Sequence, residues 1–91
     1  MPSYSVSYDL RAPGRNYQSL WDALRNAGAV RALESLWLLD DPKNAAGVRD
    51  AMRSHVDEND RILVTQLLPG MNWASTNLMP GATEWLKARF P

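Results

Sequence analysis

Asp9 is the residue of this chain best placed for chemistry. It ends the stretch Tyr4 to Leu10, where small polar side chains alternate with β-branched or aromatic ones, and Arg-Ala-Pro-Gly follows and stops the strand. A carboxylate at a strand's end either makes a turn or meets a cation or polar partner. Mg²⁺ takes oxygen ligands, commonly one or two carboxylates with water and phosphate. One Asp9 is therefore a minimal site, which two copies about a twofold axis would complete against a phosphodiester. The competing reading is an Asx-turn into Arg-Ala-Pro-Gly, which needs no metal and is the one the residues favour. Asp57, Glu58 and Asp60 form a second acidic cluster without the spacing of a Ca²⁺ loop, and they read as a solvated turn. His55 is the sole histidine and no cysteine exists to share a transition metal, so it reads as structural. Ser35, placed within a strand, reads as a polar residue satisfying its own backbone rather than a nucleophile. Trp21 and Trp37 have the shape to stack on bases, but no Lys or Arg interleaves with them at strand spacing, and both read as core. The five glycines are isolated and form no phosphate loop, so no nucleotide cofactor is indicated.

The chain that must position these groups has 91 residues, 45% of them hydrophobic, enough for one small domain. Four tryptophans in this length call for a well-filled core or an apolar face covered by another subunit. The absence of cysteine excludes disulfides and thiolate sites and fits a reducing, cytoplasmic setting. No apolar run approaches the roughly 18 residues that span a bilayer, and no signal-peptide pattern opens the chain, so a soluble, unprocessed protein without a membrane partner is expected. Ten basic and ten acidic residues cancel, leaving no global field to attract nucleic acid. Residues 1 to 33 nevertheless carry four arginines, Arg11, Arg15, Arg25 and Arg31, against two aspartates. A local basic face is open to them, although scattered solvated arginines are the commoner case.

The apolar periodicity sets the elements. Asn16 caps a helix over about 17 to 27, with Tyr17, Leu20, Trp21 and Leu24 on one face and Gly28 at its end. Ala29 to Leu39 reads as one or two strands, with Leu33, Ser35, Trp37 and Leu39 opposite Glu34, Leu36 and Leu38, and Asp40-Asp41-Pro42 stops it. Asn44 caps a second helix through Ala45, Val48, Met52 and Val56, which Gly47 weakens by roughly 1 kcal/mol. Arg61 to Leu67 is the strand richest in β-branched residues. This order predicts an α+β fold, a ferredoxin-like βαββαβ sandwich over residues 1–68 with helices on one side of the sheet. Val6, Leu20, Leu24, Trp37, Val48, Met52 and Val64 are its expected core. Residues 69–91 form a C-terminal extension with a short helix over Thr83 to Phe90; its Trp73, Trp85 and Phe90 must pack on the domain or across a dimer.

Several of these segments together resemble a known group. Tyr8-Asp9-Leu10, Pro13-Gly14 with Tyr17 and Leu20, Leu33-Glu34-Ser35-Leu36-Trp37-Leu38, Ile62 to Leu67, and Trp73 with Glu84-Trp85-Leu86 look like the SinR-like small bacterial proteins. These are similar in turn to the Cas-two family, the ferredoxin-fold dimer of CRISPR spacer acquisition, and to VapD toxins. The resemblance implies a homodimer whose sheets face each other, and it matches Asp9 to the aspartate assigned to Mg²⁺ in nuclease members. Arg11 or Arg15 would stand for the arginines near that acidic pair, as contacts to nucleic acid or a partner, and Ser35 matches the family's serine. Two readings follow: a dimeric scaffold or partner-binding module that requires no cofactor, which is preferred, and an Mg²⁺-dependent endonuclease using the Asp9 pair.

Overall fold

A computed structural model describes residues 1–11 and 16–91. The expected turn at Pro13-Gly14 and the residue Arg15 lie outside the described residues. The order is β1 (Ser3–Asp9), α1 (Gln18–Asn26), β2 (Val30–Leu33), β3 (Leu36–Asp40), α2 (Ala45–Arg53), β4 (Arg61–Leu67) and α3 (Ala82–Arg89). The four strands form one sheet in the order β2-β3-β1-β4, every neighbouring pair antiparallel. The result is a small α+β fold with three helices.

Local chemistry explains the boundaries. The first helix starts one residue later than expected, with Tyr17 rather than Asn16 at its N-cap, although Asn16 Oδ1 accepts the Gln18 amide at 2.9 Å; Gly28 leaves α1 at φ +83°. The run 29–39 divides at Glu34-Ser35, a tight turn that makes β2 and β3 a hairpin, so Ser35 sits in an exposed turn rather than a strand. Asn44 caps α2 by accepting the Gly47 amide at 2.8 Å. A Cβ on Gly47 would stand 3.0 Å from the Lys43 Cβ, which is the local reason for a glycine in that first turn.

The helices of residues 1–68, α1 and α2, cover one face of the sheet as expected, and the C-terminal extension covers part of the other. Tyr4, Val6 and Tyr8 of β1 and Trp37 and Leu39 of β3 point one way and pack with Leu20, Leu24, Val48 and Met52 of α1 and α2. Six of the seven expected core residues are buried; Val64 is half-buried because β4 is an edge strand. On the far face Ala32 and Leu38 pack with Ala82, Trp85, Leu86 and Phe90, joined by Met71, Trp73 and Leu78. The extension thus closes on the β2–β3 half of its own sheet. Met79 N–H donates to the Ala32 carbonyl at 3.0 Å, and Trp73 Nε1 to the Phe90 carbonyl at 2.7 Å.

One polar clamp holds α3 to the end of β3. Arg89 donates from Nε and Nη2 to Asp40 Oδ2 at 2.9 and 2.7 Å, and Ser3 donates to Asp40 Oδ1 at 2.5 Å. The guanidinium also lies 4.0 Å from the Trp85 ring centroid. Burial alone pushes the Asp40 carboxyl upward, but the hydrogen bonds from Arg89 and Ser3, with the Arg89 charge, outweigh it and hold the group below its ordinary value. The far face is left open over β1 and β4, where Ser5, Ser7 and Thr65 surround Leu63, which is 64% exposed.

Candidate functional site

Asp9 ends β1 opposite Arg61 of β4, and the pairing register puts both side chains on the far face. Its Oδ2 accepts Arg61 Nη1 at 3.1 Å and Arg11 Nη1 at 3.5 Å, with the carboxylate more than half exposed. Two of the expected site residues, Asp9 and Arg11, are therefore together. Their relation is an ion pair between side chains, and not the expected Asx-turn, because the Arg11 amide is already taken. It donates to Asp60 Oδ1 at 2.6 Å.

Asp60 is the residue sequence reasoning undervalued. Besides the Arg11 amide, its carboxylate accepts the Tyr17 hydroxyl at 2.8 Å and the Asp57 amide at 2.8 Å. One side chain thereby joins the exit of β1, the entry of α1 and the turn before β4. Half-buried and so engaged, Asp60 is no solvated turn residue. The only sequence signal was its position three after Asp57, whose own Oδ2 accepts the Asn59 amide at 3.3 Å as an Asx-turn would.

Mg²⁺ at Asp9 would find a single exposed carboxylate whose Oδ2 already accepts from two guanidiniums, with the next acidic group, Asp60, accepting from protein donors. This donor set does not fit the ion within one chain. No group of three or more His, Asp or Glu side chains among the described residues is arranged to hold a metal. His55 follows α2 and donates its amide to the Met52 carbonyl, at the edge of a small cleft of about 110 Å³ between α1 and α2. Ser35 lends its carbonyl to the Tyr8 amide at 3.0 Å. A wider groove of about 730 Å³, between α2 and the start of β4, is lined by Arg49, Arg53, Glu58 and Ile62 and does not include Asp9.

Trp37 is core, as expected, and Trp21 packs half-buried against the same cluster, yet both have basic neighbours that come from other elements. Arg31 of β2 pairs across the hairpin with Trp37, and its guanidinium carbon lies 5.4 Å from the Trp37 ring centroid and 5.2 Å from that of Trp21. Arg25, from α1, lies 5.5 Å from the Trp37 centroid. Beneath them the Tyr8 hydroxyl accepts Trp21 Nε1 at 3.1 Å and Trp37 Nε1 at 3.0 Å and donates to the Glu34 carbonyl at 3.0 Å. The same carbonyl accepts Arg31 Nε and Nη2 at 3.2 and 2.6 Å. Spacing along one strand missed this because the cluster is assembled from β1, α1, β2 and β3. No helix among the described residues is long and apolar enough to cross a membrane. Set beside known proteins, the chain matches no protein-family model and no solved structure.

Proposed function

We propose that this chain is a homodimeric, ferredoxin-like module related to the SinR-like and Cas-two proteins, acting as a scaffold or partner-binding protein without cleaving nucleic acid. The observation that carries the non-catalytic reading is the double guanidinium contact on Asp9, with Asp60 committed to the fold. A general base and a metal are both disfavoured by cations competing for the carboxylate, and here two guanidiniums share Asp9 Oδ2 while Asp60 is held by protein donors. The strand order β2-β3-β1-β4 with antiparallel neighbours supports the ferredoxin-like sandwich, since each βαβ crossover then brackets a strand of the other. The open far face around Leu63 supports a second copy as its cover.

The test uses the purified full chain with single- and double-stranded RNA and DNA and Mg²⁺, alongside Asp9→Asn, with light scattering on both. We expect a dimer in each case and no Mg²⁺-dependent cleavage. Cleavage that disappears in Asp9→Asn at unchanged melting temperature would establish the endonuclease instead, and a monomer at micromolar concentration would end the dimer.

A further inference from the structure

We propose that Arg25 and Arg31, held over the buried Trp37 and beside the partly exposed ring of Trp21, form a binding site for single-stranded nucleic acid. This goes beyond the reading above and depends neither on Asp9 nor on the oligomeric state. Among the described residues Arg31 is the one arginine with no carboxylate within ion-pair distance; Arg11 and Arg61 meet Asp9, Arg49 and Arg53 meet Asp50, and Arg89 meets Asp40. Arg25 has only Asp22, at 3.8 Å on the exposed face of α1. A positive charge left without a counter-charge is suited to an incoming anion.

Its setting adds a direction. The Glu34 carbonyl takes one N–H from Nε and one from Nη2, and two indoles lie against the guanidinium, so Arg31 is held before any ligand arrives. The other three of its five N–H groups have no protein acceptor among the described residues, and they include both hydrogens of Nη1. That remaining edge has the fork geometry that matches a phosphate. Arg25 shares the Trp37 ring with Arg31, which puts two guanidiniums in one place. Trp21 is half-buried at the same spot, its Nε1 tied inward to Tyr8, so the ring is fixed while part of it meets solvent. Fixed guanidinium beside a fixed, partly exposed indole is the pairing that single-strand binders use, phosphate on the cation and base on the ring. An acidic peptide would supply the charge and leave the indole unused.

The experiment titrates the full chain into fluorescein-labelled oligo(dT) and oligo(rU) at low salt, reading anisotropy and tryptophan quenching together. Single strands should bind, quench the fluorescence, and weaken linearly in log–log form as salt rises. Arg25→Glu, a change on an exposed helix face, should weaken binding roughly tenfold or more and lower the salt slope by about one, with the melting temperature kept. Arg31→Lys retains charge but not the fork, and it should weaken binding also. The proposal falls if neither oligonucleotide binds, if Arg25→Glu binds as wild type, if a duplex of the same length binds as tightly, or if inorganic phosphate or polyglutamate displaces the strand at equal charge concentration.

Discussion

Replacing Arg89 by Ala removes the clamp between α3 and β3 and gives the clearest energetic test of how the extension is held. Two N–H bonds into a single Asp40 oxygen are lost, together with a stack at 4.0 Å on Trp85, and the carboxylate keeps only Ser3. A hydrogen bond to a charged group is worth about 1.5–3 kcal/mol, and the exposed end of that range is discounted here because the two side chains keep 34% and 24% of their surface. Adding a cation–π contact of about 0.5 kcal/mol, the expected loss is about 2 kcal/mol. For a domain of this size that lowers the melting temperature by about 10 °C. The pH dependence has a definite sign. Because the folded Asp40 carboxyl lies below its ordinary value, its contribution is complete above the unfolded value of about 3.9 and is lost as pH falls through the folded one. Thermal melts by circular dichroism should therefore show wild type and Arg89→Ala well separated at neutral pH and converging as the pH falls below about 3.9 and on through the folded value. Asp40→Asn should show the same convergence. A gap that stays constant as the carboxylates are protonated would refute an ionic clamp, and no gap at neutral pH would refute the clamp altogether.

Two further changes probe the polar centres under the candidate sites. Tyr8→Phe strands two indole N–H donors beneath Arg31, and denaturant titration should show a loss of about 3 kcal/mol with altered tryptophan emission. Asp60→Ala should cost about 2 kcal/mol and speed amide exchange at Arg11 and Asp57 specifically, while Asp60→Asn, which keeps one acceptor oxygen, should lose less.

What could be read from the sequence was whatever repeats at short range. Leu20 and Leu24 on one face of α1, Val48 and Met52 on one face of α2, and Trp37 and Leu39 against Leu36 and Leu38 all follow from the helical or strand period, and each lies where the period puts it. Asn44 and Gly28 are likewise local signals with local causes. The site residues are harder because their partners are distant. Asp9 stood out by its type, yet its partner Arg61 is 52 residues away, and the amide an Asx-turn would use goes to Asp60, 49 residues from Arg11. Arg31 looked like one more solvated arginine, since nothing in its neighbourhood along the chain reveals that Trp21 and Trp37 meet over it. The far-face cover was legible only as a need: Trp73, Trp85 and Phe90 had to be buried somewhere, and the sequence does not say which face receives them.

The central place of β1 has a consequence for how the molecule is made. Of the four strands, the earliest along the sequence is the one that needs β3 and β4 as its two neighbours, and its register with β4 ties Ser3 to Leu67 and Asp9 to Arg61. Until the chain has been synthesised through residue 67, the earliest strand has one open edge, and closing that long loop is an entropic cost met before the pairing returns anything. Synthesis order and assembly order are thus opposed. A chain without β4 leaves that edge of β1 unpaired beside Tyr4, Val6 and Tyr8, the kind of open edge on which partly folded chains associate.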